Sequence, residues 1–342
     1  MISCSVKSRT VLRAISWVSL SVKSIRASKV LPPDKISAAP TLISRESLAG
    51  HVAVTLEPLQ TSDAHSYWRT FVAGRTDLPT RDLKVHLDRF LALPPEDQRS
   101  HFSVKRDGRI IGTLRLGPSE ISGFSMEPAF AGEAAVTLLK AVDLLRAGGA
   151  TIITGQFEDV YEPAFTSLGF RRSFARMRME APTKRSDVVN IKLQPPEEAE
   201  VLGLTAFLMQ VYDGHMEQQH GIHVGAEEEW RGYVTGLFKG DSGQYMPDAS
   251  YVALEGSRIV GAILITHWMG MPLVAELGVA KDHRGKGFGR GLLQASMHRL
   301  AARDEPRLAL YVTIGNDPAI ALYRKMGFVQ VGGESVTARL EG

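Results

Sequence analysis

Cysteine is nearly absent from this 342-residue chain, with Cys4 the single example. One thiol cannot close an intramolecular disulfide, which suits a reducing compartment such as the cytoplasm. Long apolar runs are also missing. The best candidate, 11–22, falls short of the ~20 residues a membrane span needs and is interrupted by Arg13. Residues 1–50 carry no acid before Asp34 and hold eight Lys/Arg against two acids, a balance of +6. The whole chain is +3, so the remaining 292 residues sum to −3. A body of that charge is not built to hold a nucleic-acid backbone by mass electrostatics.

The leader 1–50 is rich in Ser, Lys and Arg and broken by Pro32, Pro33 and Pro40. That composition is similar to an organellar transit peptide; the plainer reading is a disordered extension, or a start site set too far upstream. Over the whole chain, apolar content of 44% is near the globular average and sufficient for two cores.

The body repeats one order of elements. In its first part a strand is expected near 52–56 and a helix over 61–73. A hairpin pairs 102–104 with 110–116 around Asp107-Gly108. A helix over 134–145, a short strand at 151–154, a helix over 162–168 ending at Gly169, and a last strand complete it. The second part opens with a strand at 190–193 and a helical region over 198–215. A hairpin follows (251–254 and 259–265), then a strand at 273–279, a helix over 290–303, a strand at 308–313 and a helix over 318–326. Leu168-Gly169-Phe170 and Met326-Gly327-Phe328 lie 158 residues apart, and Gly-Arg-Ile-Ile-Gly (108–112) matches Ser-Arg-Ile-Val-Gly (257–261) at an offset of 149. We read a duplicated α+β unit over 51–183 and 188–342, each a mixed, mostly antiparallel sheet flanked by helices.

The sharpest motif runs from Val279 into a helix. Gly285, Gly287, Gly289 and Gly291 alternate with Arg284, Lys286, Phe288 and Arg290. Glycines let backbone N–H groups curl around an anion at a helix N-terminus, and the cations add positive charge. The Walker A pattern fails, because no Gly-Lys-Ser/Thr follows at the needed spacing. The dinucleotide fingerprint fails too: its third glycine falls on Arg290 or Leu292.

Arg284-Gly-Lys-Gly-Phe-Gly289 resembles the Gln/Arg-x-x-Gly-x-Gly/Ala loop of the GNAT acetyltransferases. Asn316 and the run Ala321-Leu322-Tyr323-Arg324-Lys325-Met326-Gly327-Phe328 resemble that family's second signature. The resemblance implies acetyl-CoA as donor and no metal. Arg284, Gly285, Lys286, Gly287, Phe288, Gly289 and Arg290 would hold its pyrophosphate. Leu277, Gly278 and Val279 would pair with the pantetheine arm and polarise the thioester, and Asn316 would contact pantetheine. Tyr323 would be the general acid. A neutral phenol, with an ordinary pKa near ~10, can protonate a thiolate whose thiol sits near ~8.5. With Cys4 in the leader, a cysteine-bound acyl enzyme is set aside in favour of direct transfer to an amine.

The general base is less defined. Family members often place a Glu six residues before the position of Val279, and here that residue is Leu273. Glu276 is on the same strand but, by strict alternation, on the other face unless a bulge intervenes. His267 and a water relay are the other candidates. The segment 212–230 holds His215, Glu217, His220, His223 and Glu227 to Glu229. It reads either as a wall for a cationic acceptor or as a solvated helix face, and only weakly as a metal site.

At the 158 offset the first part has Met126 for Arg284, Glu127 for Gly285, Pro128 for Lys286, Ala129 for Gly287, Ala131 for Gly289 and Phe165 for Tyr323. Each change opposes CoA binding or acid catalysis. The expectation is a degenerate first domain before a catalytic second one, an arrangement similar in architecture to mycothiol synthase. Acetyl transfer to a small-molecule primary amine is expected. A protein N-acetyltransferase and a non-catalytic acyl-CoA sensor are the alternatives. Nucleic-acid and membrane partners are not expected, and the sequence carries no signal for monomer against homodimer.

Overall fold

The computed structural model describes residues 54–185 and 191–342. The leader, the start of the strand expected at 52–56 and the start of that expected at 190–193 lie outside the described residues. Among the described residues two compact units emerge, one containing 54–178 with 330–342, the other containing 179–185 and 191–329.

The first unit carries β1 (Thr55–Pro58), α1 (Ala64–Ala73), α2 (Leu83–Leu91), α3 (Pro95–Gln98), β2 (His101–Arg106), β3 (Arg109–Leu116) and β4 (Glu120–Met126). Helix α4 (Ala134–Ala147), β5 (Ile152–Glu158), α5 (Glu162–Ser167) and β6 (Arg171–Pro182) follow. The β2–β3 turn is as read: Asp107 (φ 51°) and Gly108 (φ 75°) both take the left-handed region that a two-residue hairpin demands. Strands β1 to β4 run antiparallel, and β4 meets β5 in parallel at Glu120↔Thr154 and Ile121↔Gly155.

The second unit carries β7 (Leu193–Gln194), α6 (Val201–Tyr212), α7 (Glu227–Lys239), β8 (Gln244–Tyr245), β9 (Tyr251–Glu255), β10 (Arg258–Trp268) and β11 (Met271–Val279). Helix α8 (Phe288–Ala301), β12 (Arg307–Thr313), α9 (Asp317–Lys325) and β13 (Val329–Glu341) complete the chain. Its strands run β7-β9-β10-β11-β12, with β8 on β10. Residues 330–342, which the sequence reading gives to the second domain, cluster with the first unit. There β13 pairs antiparallel with β5 from Ser335↔Glu158 to Glu341↔Ile152.

Burial sorts the second unit's helices onto the two sheet faces. Leu204, Phe207 and Leu208 of α6 pack with Trp230 and Val234 of α7 on Val252, Val260 and Ala262. Each such side chain contributes ~1.5–3 kcal/mol on burial. Helix α8 buries Leu292, Leu293, Met297 and Leu300. A Cβ at Gly261 would meet Leu292 of α8, whereas one at Gly278 would meet Val211 and Phe207 of α6. Alternation along β10 and β11 therefore divides residues between an α8 face and an α6/α7 face.

Two irregularities recur in both units. Ile111 is an extra residue opposite β2, and Val260 is an extra residue opposite β9. Strand β4 has one extra residue at Gly123-Phe124, and β11 has one at Ala275. A bulge of this kind bends the strand and increases its twist.

Candidate active site

Strand β11 and its parallel neighbour β12 part early. Among the described residues they pair at Leu273↔Ala309 alone. Residues 276–279 still pair with β10 on one side. On the other side their N–H and C=O groups have no strand partner. Backbone polar groups left this way need another acceptor or donor. Leu277, Gly278 and Val279, named from the sequence, are the residues on this open edge.

The glycine turn begins where β11 stops. Gly285 has φ 75° and Gly287 has φ 88°, a region that a side chain strains. A Cβ at either would meet no atom within 4 Å, so the space in front of the turn is open. Helix α8 starts at Phe288, so the N–H groups of Phe288, Gly289 and Arg290 belong to an unsatisfied first turn with positive partial charge. Arg284 acts differently from its neighbours. Its guanidinium donates to the Val279 and Val211 carbonyls at 3.2 Å each, tying the turn to the ends of β11 and α6. Lys286 and Arg290 are exposed.

A cleft of about 240 Å³ lies beside this turn, lined in part by Val211, His215, Met216, Arg284, Asn316 and Pro318. Asn316 caps α9 and its amide lies 3.4 Å from His215 Nε2. Near the end of the second turn of α9, Tyr323 is buried. Burial raises its pKa above the ordinary phenol value, and the nearby Glu276 and Glu217 carboxylates raise it further.

The bulge at Ala275 decides how Leu273 and Glu276 stand to each other. Leu264 pairs with Glu276 and the next residue, Ile265, with Val274. Glu276 lies on the α6/α7 face with Gly278, two residues on, and the extra residue at Ala275 brings Leu273 to that same face. Glu276 is buried and accepts hydrogen bonds from Tyr212 at 2.7 Å and Tyr233 at 2.6 Å, one on each oxygen. His267 lies elsewhere on β10, 3.9 Å from Glu305.

The 212–230 segment divides. Glu227, Glu228 and Glu229 are exposed at the start of α7, where acids suit the helix dipole. Glu217 is buried: Thr313 donates to it, His223 Nε2 lies at 2.8 Å and His215 Nδ1 at 3.7 Å. His223 stacks on Tyr212, with ring centres 3.7 Å apart. Among the described residues no group of three or more His, Cys, Asp and Glu is arranged to hold a metal ion. Tyr212 and Tyr233 carry no local sequence signal, because α7 meets β11 only through the tertiary fold.

The corresponding region of the first unit is closed. Its elements align with the second unit's at an offset near 154 (Ala134 with Phe288 at the helix starts), so the ungapped 158 offset misplaces the loop. Met126 ends β4 as Val279 ends β11. The turn that follows is the 3-10 segment Pro128–Glu133. Arg109 pairs with Glu127, Arg106 with Glu133 at 3.1 Å, and both guanidiniums lie over Phe130. Phe165 keeps the equivalence with Tyr323, since Phe170 N–H bonds its carbonyl as Phe328 N–H bonds that of Tyr323. Phe165 is fully buried and stacked 3.7 Å from Phe157.

Residues 208–328 match the profile of the Acetyltransferase (GNAT) family. The second unit is a GNAT-family domain. A mycothiol acetyltransferase of Corynebacterium aurimucosum is 30% identical over 115 residues, 31% of this chain and 34% of that one. The chain thus spans about a third of that relative's length. A mycothiol acetyltransferase of Corynebacterium efficiens is 26% identical over 247 residues, 67% of this chain and 77% of that one. Among solved structures, a GCN5-related N-acetyltransferase from Sphaerobacter thermophilus superposes with a TM-score of 0.64 at 17% identity, covering 84% of this chain and 95% of that one. A tandem GNAT protein from the clavulanic acid biosynthesis pathway gives 0.56 at 15% identity, covering 84% and 98%.

Proposed function

We propose that the second unit transfers an acetyl group from acetyl-CoA directly to a primary amine of a small molecule. The observation that carries this reading is the parting of β11 from β12 beside an open glycine turn. A pantetheine chain fits an unpaired strand edge, and a pyrophosphate fits the amides of Gly285 to Arg290. The donor supplies an activated thioester. Backbone N–H groups of 277–279 bind its carbonyl oxygen, and Asn316 contacts the pantetheine arm. The amine nitrogen attacks the carbonyl carbon; the N–C bond forms and the C–S bond breaks. Glu276 takes the proton lost by the amine, and Tyr323 gives its phenol proton to the departing thiolate. The position of Glu276 on the face of Gly278 and near Tyr323 supports it over His267. The mycothiol acetyltransferase relatives support a small-molecule acceptor, and a single cysteine suits the cytoplasm.

Calorimetric titration of acetyl-CoA into the full chain tests the proposal, alongside Gly287→Glu. One binding site, abolished by the variant, is expected. Two sites would return the first unit to a cofactor role, and no binding would remove the enzyme reading.

A further inference from the structure

We infer that Tyr212 and Tyr233 are positioning residues for Glu276, fixing its carboxylate and setting the pH at which it accepts the amine proton. The inference rests on the acetyl-transfer reading. It begins with an imbalance. Glu276 is 4% exposed, yet among the described residues no Lys or Arg forms an ion pair with it. A buried carboxylate without a cation is costly unless strong donors stabilise its charge. Here two phenols do so, one from the last turn of α6 and one from the second turn of α7. Each oxygen accepts one O–H and retains a lone pair for an incoming proton.

The two donors hold the carboxyl plane from both ends. A bulged strand alone leaves a Glu side chain several rotamers. Clamping both oxygens leaves one, which is what a base aimed at one nitrogen requires. Tyr212 is itself fixed, stacked on His223, with the near-parallel Trp230 ring 5.6 Å from Tyr212 and 5.5 Å from His223. Burial, and then the Glu276 charge, raise the Tyr212 pKa well above the ordinary phenol value. It therefore stays a donor across the working pH range and does not compete for the amine proton. The other ionisable groups facing this carboxylate are Tyr323 from α9 and Glu217 from the turn after α6, with His215 and His223 against Glu217. The chemistry is one proton transfer: an amine N–H bond breaks and an O–H bond forms on Glu276.

Tyr212→Phe, Tyr233→Phe and the double variant, each in the full chain, test this. Phenylalanine keeps the ring and removes only the donor. Acetyl transfer to the best of glucosamine, tyramine and spermidine is followed by thiol release from pH 5.5 to 9. In parallel, the Glu276 carboxyl stretch is titrated by infrared difference against Glu276→Gln. The expected result is an acid limb displaced upward by about one pH unit per lost donor. Activity falls up to ~10-fold per lost donor on the acid limb and recovers to within ~2-fold on the plateau above it, and the infrared titration moves in step. A merely structural role would lower activity equally at every pH, and that result overturns the inference. An infrared shift without a shift in the acid limb also overturns it, since Glu276 would then not be the base. Wild-type activity with an unmoved limb leaves acetyl transfer standing. A wild-type chain that binds acetyl-CoA yet transfers to none of the amines overturns both. Should Tyr212→Phe fail to fold, Tyr233→Phe carries the same arms.

Discussion

A phenol buried beside carboxylates holds its proton more tightly than one in water. Tyr323 is in that position, so the neutral form that can protonate a thiolate persists through and beyond pH 9. Tyr323→Phe should lower kcat by ~10²-fold while leaving the acetyl-CoA Kd within ~2-fold, read by steady-state kinetics and calorimetry on the same preparation. The first unit offers a titration of opposite sign. His101 is buried among Tyr67, Trp68 and Phe90, and desolvation lowers its pKa to about 4. The unfolded chain takes up that proton near pH ~6.5 and the folded chain does not until near 4. Its share of stability is therefore complete above ~6.5 and is lost as pH falls toward 4, by up to about 3 kcal/mol. Urea unfolding at pH 7 and 4.5 should show this drop in the wild type and a smaller one in His101→Gln.

The glycine turn shows what an element can reveal before folding. Its positive φ values at Gly285 and Gly287 require the residue type found there, so the motif was readable from the sequence. The same holds for the hairpin turn at Asp107-Gly108. Gly287→Ala should strain the turn by ~1 kcal/mol and weaken acetyl-CoA at least several-fold, without changing the far-ultraviolet spectrum. Elements whose logic is tertiary were not readable. Strand β4 has buried Ser122 and Ser125 around Gly123, so its apolar alternation is broken. Helix α7 begins with three glutamates and contains Gly232 and Gly236, a composition with no clear helical stripe. The bulge at Ala275 has no signature in Leu-Val-Ala-Glu-Leu-Gly-Val. Alternation from Gly278 puts Glu276 on the α6/α7 face, but only the bulge brings Leu273 to the same face, which the sequence does not reveal. By sequence Glu217 falls with a possible solvated face, because Thr313 reaches it only across the fold.

The two units differ most where they share a plan. Both keep the bulged strands and the short parallel pair, but the first fills its turn with Phe130 under two arginines and its helix with a stacked Phe165. Seven residue pairs join its strand β5 to β13, near the other end of the sequence. Deleting residues 330–342 should therefore lower the melting temperature of the first unit, followed by hydrogen exchange of β5 amides, which are expected to lose protection in step.

That strand also governs how the halves can be inherited. A recombination event that cut the chain at the linker near 183–188 would produce a first half with one edge of its sheet bare. An unpaired edge recruits any strand of suitable length, including one from a second copy. The outcome would be self-association rather than a free-standing domain. On this arrangement the first half cannot be shed by a simple break in the gene.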